Sequence, residues 1–321
     1  MSAETVVVVV HYGEVETTAR CLEGLTGQGA DLSVILSSNG SPEEARALSD
    51  RAAALWSPDA VRLVAGGDDP AQDMGSFSVT VVDNGGNPGF AAGCNVGIRE
   101  ALKRPATRYV WLLNNDARPA PGALQALVRE AGGHPRALLG ATVLDAESGD
   151  RLQLAGGAEY HPATTRIRPQ HAGAALQDVP DLSQPRLDYV YGASLFAPAT
   201  LYREVGLLDE AFFLFYEELD LCRRARAAGY GLRWCRECVV VHEVSATVGR
   251  KGRGTARQAR LAAFHEARST ILFTRKHHPL LLPMALAART AGKPAALLAR
   301  GEWGLVGPSL AGLVEGLWAK R

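Results

Sequence analysis

Apolar positions follow one rhythm in the first 130 residues of this chain and another afterwards. Residues 5–10 are a β-branched run closed by Tyr12-Gly13. A run with no polar side predicts a strand covered on both faces, in the middle of a parallel sheet. Residues 14–25 carry Val15, Cys21, Leu22 and Leu25 at helical spacing. Residues 32–36 predict a second strand, closed by the turn Ser37-Ser38-Asn39-Gly40-Ser41, and residues 42–55 a helix. Residues 57–75, rich in Asp, Gly and Pro, read as a loop or insertion. The pattern then predicts a third strand over 76–82, a helix over 91–101, a fourth strand over 109–113 and a helix over 121–130. Strands alternating with helices mean an α/β fold: an open, mostly parallel central sheet with helices on both faces.

Beyond this point the strand-like pieces shorten, to 141–143, 152–154 and 189–196. The aromatic run Phe212-Phe213-Leu214-Phe215-Tyr216 leads into Glu217-Glu218, which open a helix that continues to 228 and stops at Gly229. A strand over 232–241 delivers His242. Residues 250–260 are basic and glycine-bearing, as a mobile loop would be, and residues 261–321 are mostly helical with Pro and Gly breaks.

With 321 residues the chain suffices for one large α/β domain or two small ones. Zero net charge argues against nucleic acid as a partner. The run from Val6 to Val10 is too short to span a bilayer, and the N-terminus lacks the basic region of a signal peptide. Five scattered cysteines without an export signal fit reduced thiols and a cytoplasmic location. Cys235 and Cys238 form a lone C-x-x-C with no second ligand pair.

Ligands of open parallel sheets bind beyond the carboxyl ends of the strands. Ser38-Asn39, Asp83-Asn84 and Asn114-Asn115-Asp116 all fall at such ends. Asp116 is either a ligand for a hard cation or a turn residue. Glu217, Glu218 and Asp220 are partly explained by a helix dipole, but three acids after an apolar-aromatic run also suit a general base facing a cleft. Asp220 is spaced to pair with Arg223 or Arg224. His242 is either structural or a ligand. The segment from Asn87 to Asn95 has the wrong glycine spacing for a dinucleotide fingerprint and follows the wrong strand.

Taken in order, 6–12, Ser38-Asn39-Gly40-Ser41, 87–97, 112–116, Tyr191-Gly192-Ala193-Ser194, 206–224 and His242 resemble the family 2 glycosyltransferases, in particular the bacterial rhamnosyltransferase-like branch. The resemblance covers about residues 5–270. It implies a GT-A fold over 1–270, with a nucleotide-binding half (1–118) and an acceptor-binding half (119–270), followed by a helical extension over 271–321. It implies inverting transfer of a sugar from a nucleotide-diphosphate donor, dTDP-rhamnose or a UDP-sugar, to a surface polysaccharide or lipid-linked glycan. Glu218 would be the base beside Glu217, and Asp116 and His242 would hold Mn²⁺ or Mg²⁺. Donor contacts would come from His11, Tyr12, Ser38, Asn39, Asn87, Gly89, Phe90, Asn95, Asn114, Asn115, Gly192 and Ala193. Three positions depart from the family pattern: Ser38 and Glu218 stand where Asp is usual, and Cys94 where Asn is common.

Arg250, Lys251 and Arg253 are either a lid that closes over a diphosphate or part of a solvated loop. Seven cations and two tryptophans in 275–321 fit an amphipathic helix at the inner face of the plasma membrane, a helical cap, or an oligomer contact such as a homodimer. Two other functions remain open: a sugar nucleotidyltransferase, which would want a glycine-rich basic loop after the first strand, and a glycan-binding relative without activity.

Overall fold

The computed structural model of the chain describes residues 4–29, 32–64, 78–180, 184–243 and 255–319. The N-terminal half contributes strands β1 (Glu4–His11), β2 (Leu32–Ser38), β3 (Val61–Val64), β4 (Val79–Asp83) and β5 (Thr107–Asn114), all mutually parallel where they pair. β1 lies between β2 and β5. Its side chains alternate between two cores, Val7 and Val9 on one face, Val6, Val8 and Val10 on the other. None of these valines is more than 5 % exposed, which is why the run carries no polar alternation. Each buried valine contributes about 1.5–3 kcal/mol relative to exposure.

Helices α1 (Val15–Thr26), α2 (Pro42–Leu55) and α4 (Ala123–Gly133) feed the first core with Leu22, Leu48 and Leu127. α3 (Phe90–Lys103) feeds the second with Cys94 and Ile98. α3 lies close on β1 because two of its residues lack side chains. A Cβ at Gly97 would come within 2.3 Å of Val8, and one at Gly93 within 2.9 Å of Val10.

The C-terminal half adds β6 (Ala117–Pro119), β7 (Ala137–Asp145), β8 (Leu152–Ala155), β12 (Ser194–Pro198) and β13 (Gly231–His242). Among the described residues the large sheet has ten strands, in the order β3-β4-β2-β1-β5-β12-β7-β13-β6, with β8 on β7. β12 runs antiparallel to both neighbours, whereas β13 is parallel to β7. A second, antiparallel sheet holds β9 (Gly157–His161), β10 (Arg166–Pro169) and β11 (Tyr189–Val190). α5 (Ala199–Val205) and α6 (Glu217–Ala227) join the second core. The C-terminal region is helical: α7 (Ala256–His277), α8 (Leu282–Ala287), α9 (Lys293–Ala299) and α10 (Val306–Trp318). α7 runs through position 270, and α10 packs on it where Gly312 and Gly316 leave no room for a Cβ.

Four expectations change. Residues 57–75 are not all loop: β3 forms an edge strand there, its residues mostly half-exposed and so without a clear apolar pattern. The strand expected over 76–82 is Val79–Asp83, the fourth in the chain, and residues 65–77 lie outside the described set. The single strand expected over 189–196 is two, β11 and β12, in different sheets, because the chain turns at Tyr191-Gly192-Ala193. Ser37 and Ser38 belong to β2 rather than to the turn after it.

Candidate active site

The parallel strands of the N-terminal half end on one edge. The register sets His11 beside Ser38, Ser38 beside Asp83, and Val10 beside Asn114. β12 enters the sheet at the same edge, Ser194 opposite Leu113. The Gly192-Ala193 turn therefore meets the tip of β5, where Asn114 N–H donates to Ala193 O at 3.1 Å. β13 also ends there, with His242 opposite Ala117, so its ring lies beside Asp116. A cavity of about 280 Å³ occupies this edge.

Twelve of the residues singled out in the sequence line that cavity: Tyr12, Asn39, Asn87, Phe90, Asn114, Asn115, Asp116, Gly192, Ala193, Glu217, Glu218 and His242. Four others do not. His11 is buried behind the site, its Nδ1 2.7 Å from Thr18 Oγ1, and burial lowers its pKa against the opposing pull of Glu44. Ser38 is buried at the end of β2. Asn95 ties α3 to a loop: its amide donates to Leu208 O (2.9 Å) and Glu210 Oε1 (2.8 Å), and its Oδ1 accepts from Leu208 N–H (3.0 Å). Gly89, at φ +102°, precedes α3 where a Cβ would lie 2.7 Å from Phe213 O. Its contribution is close approach of two chain segments.

One wall is an amide cluster. Asn39 Nδ2 donates to Gly89 O (3.0 Å) and Asn87 Oδ1 (3.3 Å), while Asn39 Oδ1 accepts from Asn84 Nδ2 (2.7 Å). Opposed donors and acceptors of this kind hold side chains still for a polar ligand. Asn84, expected at a strand end but not among the donor contacts, enters because β4 lies next to β2.

Asp116 and His242 form the second feature. Gln153 Nε2 donates to the His242 carbonyl at 2.7 Å, which orients the amide so that Gln153 Oε1 accepts from His242 Nδ1 at 2.8 Å. That assigns the ring proton to Nδ1 and turns Nε2 toward Asp116 Oδ1, 3.1 Å away. Two acceptors at this distance repel, so the pair needs either a second ring proton or a cation between them. Asp116 Oδ2 and Asn114 Oδ1 are buried without a protein partner. This donor set fits a hard or intermediate cation whose other ligands come from a bound molecule. Among the described residues no group of three or more His, Cys, Asp or Glu is arranged to hold a metal alone.

The third feature is the start of α6. Phe215 and Tyr216 adopt φ +66° and +72°, a left-handed conformation that costs roughly 1–3 kcal/mol per non-glycine residue and clusters at functional sites. This double twist aims Glu217 and Glu218 at the cavity. Burial, with Glu218 next to it, pushes the Glu217 carboxyl well up. Burial also raises Glu218, to about 7, against the stabilising amides at the start of its helix. Oε2 of each is buried without a partner. A Cβ at Gly192 would lie 3.6 Å from Glu218 Oε1, so this glycine keeps the space before the carboxylate open. Tyr191 stands between the two acidic features: burial, then Asp116 and Glu218, push its hydroxyl up.

Asp220 faces the other way. Its carboxylate takes Arg224 Nε, Lys276 Nζ and His277 Nε2, each at 2.7 Å, and so binds α6 to α7. Of the two helical partners expected, Arg224 is the one engaged.

Sequence reading named Tyr191, Phe213 and Phe215 within motifs without giving them a site role, and missed Gln153 and the α7 residues Gln258, Leu261, Ala262 and His265. A polar residue between Leu152 and Leu154 was the visible sign of Gln153. Nothing local marks the α7 face, which reaches the cavity only by tertiary packing. Arg250, Lys251 and Arg253 lie outside the described residues. In the tail, Arg275 donates to the carbonyls of Gly316 and Ala319, Lys276 and Lys293 pair with Asp209 and Glu266, and Arg289 is buried.

The chain has recognisable relatives. Residues 6–173, just over half of its length, match the sequence model of glycosyl transferase family 2. The low-salt glycan biosynthesis hexosyltransferase Agl10 of Haloferax volcanii is 25 % identical over 161 residues, half of this chain. The match spans only half of that relative's length. Among solved structures, GalNAc-T7 with UDP, GalNAc and Mn²⁺ superposes with a TM-score of 0.58 at 12 % identity, over 89 % of this chain and 54 % of that one. S. aureus TarS 1–349 is more distant, with a TM-score of 0.48 at 12 % identity over 98 % and 81 %. The GalNAc-T7 superposition supports the GT-A architecture, and the family match begins on β1 and takes in the amide wall and Asp116. The chain therefore belongs to glycosyl transferase family 2.

Proposed function

We propose that this protein transfers a sugar from a nucleotide-diphosphate donor to a hydroxyl of a glycan or lipid-linked acceptor, with inversion at the anomeric carbon. The observation that carries the reading is the meeting of two unpaired buried carboxylate oxygens, Glu218 Oε2 and Asp116 Oδ2, in residues lining one cavity. Inverting transfer asks for a base on the acceptor side and neutralisation of the departing diphosphate on the other. Glu218, raised toward neutrality by burial, takes the hydroxyl proton as the oxygen attacks. Asp116 and His242 would hold Mn²⁺ or Mg²⁺, which supplies positive charge to the leaving diphosphate. Gln153 keeps the His242 ring oriented for that task. Asn39, Asn84 and Asn87 offer neutral hydrogen bonds to the nucleotide, consistent with Ser38 carrying no charge.

The test is a donor screen on the full chain, using UDP-glucose, dTDP-rhamnose and GDP-mannose with and without Mn²⁺. A metal-dependent rise in melting temperature with one nucleotide, and release of its diphosphate on adding acceptor, is expected. Silence with every donor, metal present, would overturn the reading.

Membrane contact through 275–321 is a further part of the proposal. Its support is the exposed apolar set Leu280, Met284, Trp303, Val314 and Trp318, with Trp318 81 % exposed. The tail's cations give less support, being largely committed within the protein. No helix among the described residues is long and apolar enough to cross a membrane. Flotation with anionic vesicles should be lost in Trp303→Ser/Trp318→Ser; equal flotation of both proteins removes the idea, and a dimer-to-monomer change on sizing would assign the face to self-association.

A further inference from the structure

We propose that Arg289, far along the chain from any acidic motif, is a positioning residue for the Glu217–Glu218 pair, a role that rests on the sugar-transfer reading. Arg289 lies in a π-helical turn, Ala288–Gly292, beyond the family match. Such turns insert one residue into a helix and often re-aim a side chain. Its side chain is only 9 % exposed, yet each guanidinium nitrogen donates at least one hydrogen bond. Nε donates to Thr165 Oγ1 (2.7 Å), Nη1 to Glu266 Oε1 (2.8 Å), and Nη2 to Thr165 O (3.1 Å) and Tyr216 Oη (3.2 Å). One side chain thus joins the turn between β9 and β10, helix α7, and the residue immediately before Glu217.

Tyr216 is where this matters. It is the second of two consecutive left-handed residues, and such a conformation persists only where the surroundings over-determine it. The Tyr216 ring is held edge-on by Tyr160 at 5.9 Å and packs at a tilt on Phe273 at 5.5 Å, and its hydroxyl is held by Thr270 at 3.0 Å and Arg289. The side chain is therefore a lever whose far end Arg289 grips. Without that grip Phe215 and Tyr216 relax toward ordinary φ, and the first turn of α6 swings Glu218 off the acceptor hydroxyl. Donor contacts on the β1, β2 and β5 tips stay in place.

The test compares Arg289→Gln, Arg289→Lys and Tyr216→Phe in the full chain, using whichever donor of the screen turns over. Arg289→Gln should lower kcat by about a hundredfold, the scale of a 1 Å misplacement, with donor KM within about twofold of wild type. Arg289→Lys should restore part of the rate, and Tyr216→Phe should resemble Arg289→Gln. Amide hydrogen exchange over 212–222 should quicken in Arg289→Gln and Tyr216→Phe while β1 and β5 stay protected. Unchanged kcat, unchanged exchange over 212–222, or kcat and nucleotide binding falling together with the melting temperature would each overturn the proposal. A wild-type protein inert toward every donor would refute the sugar-transfer reading instead, and exchange over 212–222 would then decide the role of Arg289 alone.

Discussion

Helix α6 buries acids on two sides, and the two sides are built oppositely. On the α7 side Asp220 meets Arg224, Lys276 and His277. Burial would raise its carboxyl, but His277, Arg224 and Lys276 together hold it well below the usual carboxylate range. On the cavity side Glu217 and Glu218 have only each other and the helix amides, and both carboxyls are pushed up. The same chemical group two residues away is a structural rivet in one case and a reactive centre in the other. Burial does not separate them. The presence of a cation does.

The sharpest way to break this comparison is Glu218→Gln. Removing the base should cost about a thousandfold in kcat, leave nucleotide binding intact and leave folding stability equal or higher. The wild-type rate should climb with pH up to about 7, as Glu218 loses its proton, and that limb should vanish in the variant. Turnover equal to wild type would mean that the cavity side of α6 is not reactive.

Asp220→Asn tests the opposite side. It leaves Arg224, Lys276 and His277 facing a neutral amide and should destabilise folding by about 3 kcal/mol in urea, with the Mn²⁺-dependent nucleotide shift retained below the new midpoint. The pH signs differ too. The Asp220 contribution is present above its ordinary value of 3.8 and lost as pH falls toward its lowered folded value. The Glu218 contribution is present below 4.5 and lost as pH rises through about 7. Unfolding curves for Asp220→Asn and wild type should therefore converge only in acid; a gap independent of pH refutes the ion-pair account.

The smallest expected effect belongs to Asp116→Ala, about 10- to 100-fold in Mn²⁺-supported nucleotide affinity with little change in its absence. Calorimetric titration of UDP or dTDP reads this directly. Equal loss with and without metal would assign Asp116 to the turn and not to a cation.

Much of the N-terminal half was legible in the sequence. The valine run of β1, the helical spacing of α1 and the proline-started α2 are local signals, and each element lies where its pattern placed it. The tips at Asn39, Asn84 and 114–116 were legible because parallel strands must end on one edge, and Asn87 through the family resemblance. His11 and Asn95 were misjudged as donor contacts because a polar side chain near a strand end or in a helix does not say whether it faces ligand or chain. Thr18 and Leu208 supply that answer from elsewhere in the chain.

By itself the sequence determined the alternation of elements, the parallel sheet and the pool of acids and amides from which a site is drawn, because these follow from short-range spacing and residue type. Tertiary structure alone decided that Lys276 and His277 join Arg224 on Asp220 while Glu217 and Glu218 are left bare, that Gln153 orients His242, and that a buried arginine from the last helices reaches the residue before Glu217. The physical reason is that pairing and desolvation depend on neighbours tens of residues away, whose approach no local pattern records.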